Sequence, residues 1–306
     1  MSRFDVVCIG VALIDLPLGP LDEQIFHEET TVVRSIGLTT GGDALNEAIV
    51  LARLGNKTAL IGQVGTDMLG DIIARRCEEE GVDHSGLRLD PETETRPNVV
   101  VIGKDGQRHF IKTQSASSRS FRPDEIDYGL IGNARAVSLA SIFCSKLRDP
   151  ETIYTILKAA RENGAVTFAD MVPMTGGETI RDIADALPFL DYFMPNLEEA
   201  SMLTGLKDPD DIADSLLRYG IKNVIVKLGR EGCLIKNNRE CHLIPAFPAD
   251  AIDTTGAGDN FAAGFITAVL DGLNLEDSGA FANAAAAVST EAVGAVGGVK
   301  NKRQIE

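Results

Sequence analysis

Residues 253–261, Asp-Thr-Thr-Gly-Ala-Gly-Asp-Asn-Phe, place two acids, two hydroxyl side chains and two glycines directly before an apolar run of helical period. This pattern predicts a loop that enters a helix, whose N-terminus offers unpaired backbone N–H groups and a favourable dipole to a phosphate. Asp259 would be repelled by that phosphate unless it has a chemical role, such as accepting the proton of a hydroxyl that attacks the phosphoryl group. Taken alone, the segment also fits an ordinary glycine turn with Asp259 in the first turn of a helix.

A second glycine pair, Gly41 and Gly42, precedes a predicted amphipathic helix that carries Asp43 and Asn46 near its start. The glycines would let a ligand approach the backbone closely. The alternative for this segment is a plain loop before a helix.

Asp15 closes an apolar, β-branched run that begins at Phe4. We expect this run to form a buried strand that delivers the acid at its carboxyl end, where open α/β sheets bind ligands. A loop aspartate that caps a turn is the alternative.

Asn196 and Glu199 follow a predicted strand and open a helix. Their spacing fits a capping box, which is a purely structural device. A second role as polar ligands is compatible with capping, and the two interpretations stay open together.

The elements that must position these residues alternate regularly from residue 124 onward. Strands at about 135–139, 166–169 and 191–194 alternate with helices at about 149–163 and 178–187, which indicates a parallel sheet with helices on both faces. Earlier, a helix is expected at about 68–80. Two alternating segments, 95–103 and 107–113, flank the turn signal Lys-Asp-Gly and predict a hairpin outside the main sheet.

Composition limits the function classes. The chain has 306 residues, a net charge of −16 and 44% hydrophobic residues, which suits one large α/β domain and argues against nucleic-acid binding through a basic surface. Five cysteines without metal-ligand spacing indicate free thiols in a reducing cytoplasm. The opening apolar run is too short to span a bilayer, so we expect no membrane anchor.

The segment 253–261 closely resembles the signature of the ribokinase-like carbohydrate kinases, the PfkB family, and the resemblance extends over nearly the whole chain. It implies a single domain, 1–306, with the ribokinase-like three-layer α/β fold. A mostly parallel central sheet would carry helices on both faces, and residues of about 12–40 and 93–117 would form a small β lid. The lid commonly pairs with another subunit, which implies a homodimer.

The resemblance also implies roles for individual residues, with ATP and Mg²⁺ as cofactors. The catalytic base is Asp259, and the anion hole is Gly256, Ala257 and Gly258. The substrate would contact Asp15, Gly41, Gly42, Asp43, Asn46 and the lid residue Arg119. The nucleotide would contact Asn196, Lys227, Gly229, Gly232 and Asn283, with Glu199 organising Mg²⁺ through water. Residues 290–299 resemble the loop that, with Asp253 and Thr255, holds a monovalent cation in several relatives, so K⁺ is a further candidate.

The implied function is transfer of the ATP γ-phosphate to a hydroxymethyl group of a sugar or polyol. The alternative is a sugar-acid kinase similar to the 2-keto-3-deoxygluconate kinases, whose G-D-x-L-N motif matches residues 42–46. Those enzymes hold the substrate carboxylate with arginines, and Gln114 stands at one of the corresponding places. Because Asp15 and Asp43 suit hydroxyl donors, a neutral acceptor is expected unless a lid cation such as Arg96, Arg108, Lys112 or Arg119 compensates an anion.

Two further classes fit less well. A dinucleotide-dependent oxidoreductase would need a third glycine, where this chain has Phe261. A non-catalytic sugar- or nucleotide-binding regulator would be expected to lack the base, and Asp259 is present.

Overall fold

A computed structural model describes residues 4–104, 108–112 and 119–306. The strands are β1 (Phe4–Ile9), β2 (Leu13–Leu21), β3 (Ser35–Ile36), β4 (Thr39–Gly41), β5 (Thr58–Gly65), β6 (Asp83–Asp90), β7 (Pro97–Gly103), β8 (Arg108–Lys112), β9 (Ala134–Ile142), β10 (Val166–Met171), β11 (Tyr192–Phe193), β12 (Asn223–Lys227), β13 (Cys233–Lys236) and β14 (Cys241–Ile244). The α-helices are α1 (Asp43–Arg53), α2 (Met68–Glu80), α3 (Tyr128–Ile131), α4 (Pro150–Glu162), α5 (Leu197–Thr204), α6 (Pro209–Leu217), α7 (Ala257–Leu270) and α8 (Leu275–Thr290).

The larger sheet has the order β14-β13-β12-β11-β10-β9-β1-β5-β6. Its neighbouring strands are parallel except where β13 runs antiparallel to β12 and to β14. Side chains of β1 alternate between the two faces, so Val7 and Ile9 join one apolar core while Val6 and Cys8 join the other. The first core includes residues of α4 and α6, and the second includes residues of α1 and α7. The predicted parallel sheet with helices on both faces is therefore confirmed.

The smaller sheet has the order β3-β2-β7-β8, with β4 also paired to β2. Its strands come from the two stretches in which the sequence predicts a lid, although residues 113–117 of the second stretch lie outside the described residues. The register aligns Asp15 with Asn98 and Asn98 with Lys112. These three side chains therefore share one face of the sheet.

Two sequence-based expectations are wrong. Asp15 does not end the first strand, because β1 stops at Ile9 and Asp15 lies within β2 of the smaller sheet. Residues 178–187 do not form an α-helix but contain the 3₁₀ turn Ile180–Ile183, followed by a second turn at Leu187–Phe189. Asp182 closes the first turn by accepting from the Thr179 N–H at 2.7 Å, and Pro188 offers no N–H to continue a helix.

The helix predicted at about 68–80 is confirmed as α2. Asp67 caps its N-terminus by accepting from the Gly70 N–H at 2.9 Å, and Gly81 ends it in a left-handed conformation. Among the described residues, no helix is both long and apolar enough to cross a bilayer.

Candidate active site

A cleft of about 1250 Å³ is lined on one side by the smaller sheet and on the other by the N-termini of α1 and α7. Of the predicted site residues, it brings together Asp15, Gly42, Asp43, Asn46, Thr255 and the segment Gly256–Asp259. Side chains that are far apart in the sequence therefore face one space.

The N-terminus of α7 forms part of the cleft wall, as the sequence predicts. Gly256 is the N-cap residue with φ 72°, and a Cβ at this position would lie 2.7 Å from the Cα of Ala295. Only glycine fits both the conformation and this close approach. Asp259 follows in the first turn, so its carboxylate stands beside the unpaired N–H groups of the helix.

The N-terminus of α1 faces the same space. Gly42 caps it with φ 94°, and a Cβ there would lie 2.5 Å from the Val11 carbonyl oxygen. Asp43 accepts a hydrogen bond from the Ser141 hydroxyl at the end of β9. Glycine is thus required where α1 meets the chain that leaves β1.

Asn46 links the two helix ends. Its Nδ2 donates to Oδ2 of Asp259 at 2.8 Å, across 213 residues of sequence. Its Oδ1 is buried without a hydrogen-bond partner among the described residues. Asn46 therefore orients the predicted base and keeps an acceptor available next to it.

Asp259 lies in an acidic cluster, which we define as the half-buried Asp43 and Asp259 and the buried Asp170 and Glu199. Burial, followed by the charge of Asp43, raises the pKa of Asp259 well above its ordinary value. Burial likewise raises the pKa of Asp43 and of Asp170. A carboxylate with a raised pKa is a stronger proton acceptor, as general-base chemistry requires.

Lys227 supplies the cluster with a positive charge. Its Nζ donates to Oδ2 of Asp170 and lies 3.3 Å from the point that a Cβ on Gly258 would occupy. Burial lowers the pKa of Lys227, but Asp170 and Glu199 outweigh this effect and raise it above its ordinary value. A charged amine therefore stands directly beside the N-terminus of α7.

The capping box at the start of α5 is confirmed. The Asn196 side chain accepts from the Glu199 N–H and the Glu199 carboxylate accepts from the Asn196 N–H, both at 2.9 Å. Burial, followed by the charge of Asp170, raises the pKa of Glu199 to about 7. This end of α5 is therefore joined electrostatically to the acidic cluster.

The donor set suits Mg²⁺ but does not form a cage. In the described part of the chain, no group of three or more His, Cys, Asp or Glu side chains is arranged to hold a metal ion. Mg²⁺ typically takes one or two carboxylates and completes its shell with water and phosphate oxygens. Glu199 and its acidic neighbours, close to the anion-binding N-terminus of α7, fit this way of binding Mg²⁺.

Asp253 ties two loops together at the start of the α7 segment. Its Oδ1 accepts from the Thr255 N–H at 2.7 Å, and its Oδ2 accepts from the Gly294 N–H at 2.8 Å. Asp253 therefore connects its own loop to the segment 290–299, while the cation site stays a prediction. Since both carboxylate oxygens accept backbone N–H groups, the ligands of a monovalent cation here would be chiefly carbonyl oxygens.

The predicted nucleotide segment forms β12, a tight turn and β13. Gly229 has φ 60° in this turn and Gly232 has φ 100°. Arg230, which the sequence analysis did not single out, lines the cleft. Asn283 does not line it, because its Nδ2 donates to the carbonyl oxygens of Ile244 and Pro245, each at 3.1 Å.

Arg119, predicted to bind substrate, is not part of the cleft lining. Both terminal nitrogens of its guanidinium bond Glu125 at 2.6 Å. The hydrogen bond from Arg119 is the main reason that the pKa of Glu125 falls to about 2. The Arg119 prediction is therefore corrected: an acid six residues later holds this side chain. Gln114, compared above with a substrate-binding arginine, lies outside the described residues.

Several residues that line the cleft, or that bond its functional side chains, were missed or undervalued from sequence. Asn98 donates to Asp15 at 3.2 Å, and Arg96 lies two residues before it on the same face. The alternation of the predicted hairpin was a usable signal for both. Ser141 and Asp170, which bond Asp43 and Lys227, carried no local signal because their partners are distant in sequence.

Comparisons with known proteins agree with this geometry. The pattern of the pfkB family carbohydrate kinases matches residues 3–302. The chain is 30% identical over 293 residues to 2-dehydro-3-deoxygluconokinase of Bacillus subtilis (strain 168), covering 91% of this chain and 88% of that protein. It is 28% identical to the probable chloroplastic fructokinase-6 of Arabidopsis thaliana, covering 98% of this chain and 81% of that protein.

Among solved structures, Arabidopsis thaliana ribokinase complexed with ribose and ATP superimposes with a TM-score of 0.82 at 25% identity, covering all of this chain and 98% of that one. The predicted ribokinase-like fold is thereby confirmed. The family match spans almost every residue, from the lid strands to the cleft loops. The chain therefore belongs to the pfkB family of carbohydrate kinases and is a sugar kinase.

Proposed function

We propose that the protein, as a single kinase domain with a β lid, transfers the γ-phosphate of ATP to a hydroxymethyl group of a sugar or polyol skeleton. Asp259 is the general base, and the backbone N–H groups of Gly256–Gly258 form the anion hole. The observation that carries this proposal is the 2.8 Å hydrogen bond from Asn46 to Asp259, which sets a basic carboxylate beside a helix N-terminus.

Each wall of the cleft has a part in the reaction. The acceptor hydroxyl loses its proton to Asp259 as its oxygen attacks the γ-phosphorus of ATP, and the bond from that phosphorus to the bridging oxygen breaks and releases ADP. The N-terminus of α7 stabilises the charge that develops on the phosphoryl oxygens. Lys227 adds positive charge at the same end. Asp15 and Asp43 accept hydrogen bonds from other hydroxyls of the acceptor.

The nucleotide and metal side rests on a separate set of residues. Bound ATP with Mg²⁺ supplies the phosphoryl group and neutralises its charge. We assign Glu199 to the metal through water and assign Asn196, Lys227, Gly229 and Gly232 to the nucleotide. The raised pKa of Glu199, about 7, supports this assignment, because a nearby cation would favour the ionised form.

A homodimer through the lid and a cytoplasmic location are part of the proposal. The lid face opposite to Asp15 leaves Ile36 and Ile111 exposed by 73% and 60%, which favours burial against a second copy. All five cysteines are free thiols, as the proposed location requires. Light scattering should give twice the chain mass of 32.6 kDa, and a monomer at micromolar concentration would contradict the dimer.

The decisive experiment is coupled ADP release by the purified protein across sugars, polyols, sugar acids and sugar phosphates. We expect ADP release that depends on one class of acceptor and an acceptor phosphorylated on its primary hydroxyl. Binding of ATP without acceptor-dependent ADP release would instead identify a non-catalytic binder.

A further inference from the structure

The inner face of the smaller sheet carries unpaired positive charge toward the cleft. Asn98 is aligned with Lys112 on β8 and with Asp15 on β2, and Arg96 lies two residues before Asn98. Because strand side chains alternate, Asp15, Asn98 and Lys112 point to the same face. Arg96, which immediately precedes β7, lines the cleft with them. The lid therefore presents one carboxylate and two cations to the acceptor.

The charge balance of the whole cleft supports this view. Its lining includes three acids (Asp15, Asp43, Asp259) and four bases (Arg96, Lys112, Arg148, Arg230), in a chain whose net charge is −16. Arg148 is neutralised by Glu178, with Nε 2.8 Å from the carboxylate. Arg230 lies in the turn of the predicted nucleotide segment. Arg96 and Lys112 therefore remain as two cations that hydroxyl recognition does not require.

Arg96 is the most informative of these bases. Its Nη1 donates to the Ser145 hydroxyl at 2.9 Å, while its Nε is buried without an acceptor among the described residues. No carboxylate within the described part of the chain forms an ion pair with it. A half-buried guanidinium without an anion is unfavourable, so the free protein holds a charge that a ligand can compensate.

Lys112 is the second cation: no carboxylate in the described ranges forms an ion pair with it, although Asp15 and Asp43 attract it at longer range. Its Nζ lies 5.8 Å above the ring of Phe110, another residue of the cleft lining. This contact leaves the amine donors free, because a ring accepts no conventional hydrogen bond from them. Lys112 can therefore join Arg96 in binding one anionic group.

The register separates these cations from Asp15. Neighbouring strands lie about 4.8 Å apart, so Asp15 on β2 and Lys112 on β8 are about 10 Å apart across the sheet. Arg96 immediately precedes β7 and lies about 6.6 Å along the extended chain from Asn98. An anion on the β7–β8 side would contact both cations, with Asp15 one strand farther away.

We propose, on the basis of the kinase function above, that the acceptor is a sugar or polyol skeleton with an anionic group remote from the phosphorylated hydroxyl. Arg96 and Lys112 bind this carboxylate or phosphate, and Asp15 and Asp43 accept hydrogen bonds from its hydroxyls. The guanidinium and a carboxylate or phosphate match geometrically, and such charge-assisted hydrogen bonds are about twice as strong as neutral ones.

The test uses acceptors that share one skeleton and keep the same free hydroxymethyl end, at C6: D-glucitol, D-gluconate and D-glucitol 1-phosphate, with the corresponding galactitol series. We expect the better anionic member of a series to exceed the neutral member in kcat/KM by roughly tenfold or more. If the anionic group of the natural acceptor is a carboxylate, the aldonate should have the highest kcat/KM. If it is a phosphate, the phosphorylated polyol should have the highest kcat/KM.

Variants connect this preference to the two cations. Arg96→Gln should reduce the anionic-to-neutral ratio of kcat/KM by roughly tenfold, chiefly through KM, and Lys112→Gln should reduce it less because Lys112 is more exposed. Arg96→Lys should restore part of the ratio. Lys104→Gln, which removes the same charge from a lid residue outside the cleft lining, is the matched control and should leave the ratio unchanged.

The possible failures are distinguishable. Kinase activity in which neutral acceptors match or exceed the anionic ones overturns this inference and leaves the proposed function intact, as does a ratio that survives both Gln substitutions. Absence of ADP release with every acceptor removes the proposed function. In that case, calorimetry decides the inference: D-gluconate or D-glucitol 1-phosphate must bind more tightly than D-glucitol and lose this advantage in Arg96→Gln, and equal binding overturns it.

Discussion

The two walls of the cleft are built by different means. The helix wall, Gly42–Asn46 and Gly256–Asp259, uses backbone N–H groups and side chains that bond one another, such as Asn46 with Asp259 and Ser141 with Asp43. The lid wall, the inner face that carries Asp15, Arg96, Asn98 and Lys112, uses side chains on strands of the smaller sheet. Arg96 and Lys112 on this wall lack carboxylate partners within the described residues.

This difference suggests that the helix wall serves catalysis and the lid wall serves substrate recognition. A preorganised wall suits charge stabilisation in a transition state, because its dipoles are fixed before the reaction. A wall of under-satisfied side chains suits recognition, because a ligand supplies the missing partners. Changes to the helix wall should therefore lower kcat, and changes to the lid wall should chiefly raise KM.

The largest effect should come from removing the divalent cation. EDTA should abolish phosphoryl transfer and added Mg²⁺ should restore it. The acidic cluster beside the N-terminus of α7 would repel a polyphosphate unless a cation lies between them. Calorimetry in EDTA should still detect the best acceptor, because the lid wall uses no metal. Full activity in EDTA would contradict the role of Glu199, and loss of acceptor binding would contradict the separation of the two walls.

The next largest effect should follow Asp259→Asn, which keeps the shape of the base and the proximity of Asn46. Turnover with saturating acceptor should fall by about 10² or more, since general-base contributions are of that size, while KM changes little. Steady-state kinetics of Asp259→Asn and Arg96→Gln, measured side by side, give the matched comparison. Asp259→Asn should lower kcat, and Arg96→Gln should raise KM. Turnover within tenfold of the parent would remove Asp259 from the role of base.

The helix wall was the more predictable of the two from sequence. Gly256 and Asp259 lie within four residues, and the capping, close backbone approach and dipole that they imply are local effects that a short motif specifies. The parallel sheet followed from the same kind of local evidence, the alternation of strands and helices.

What the sequence did not predict depends on distant partners. Asn98 meets Asp15 through the pairing of β2 with β7, and Ser141 meets Asp43 through the packing of β9 beside α1. Arg119 was assigned to substrate through the family resemblance, and its bond to Glu125 was not visible in that motif. Side-chain pairing of this kind depends on strand register and on the packing of distant elements, and a short sequence segment does not specify either.

A smaller effect should come from the monovalent cation at the edge of the helix wall. Exchanging K⁺ for Na⁺ should lower turnover by a few-fold, because the loops joined through Asp253 lead directly into α7. Assays at constant ionic strength separate this effect from screening. Equal turnover in both salts would exclude a K⁺-dependent loop and leave the rest of the helix wall as described.

The smallest effect concerns stability behind the helix wall, at Glu47. This α1 residue is 1% exposed and accepts a long hydrogen bond from the Cys8 thiol at 3.6 Å. Burial, with the charges of Asp170 and Asp43 adding to it, raises its pKa from 4.5 to about 7. The folded protein thus binds this proton more tightly than the unfolded chain does, so the contribution of Glu47 to the free energy of unfolding falls as pH rises from 4.5 to about 7.

Glu47→Gln is neutral at every pH, so it should raise Tm at pH 8 by a few degrees and flatten the decline of Tm between pH 5 and pH 7. Part of that decline should remain, because Glu199 has a raised pKa of about 7 as well. Thermal unfolding at four pH values measures the effect, with Glu78→Gln on the exposed side of α2 as the control that should change nothing. If Tm depends on pH in the same way for Glu47→Gln and the parent, Glu47 is ionised at little cost in free energy. The acidic surroundings of the helix wall would then not extend beneath α1.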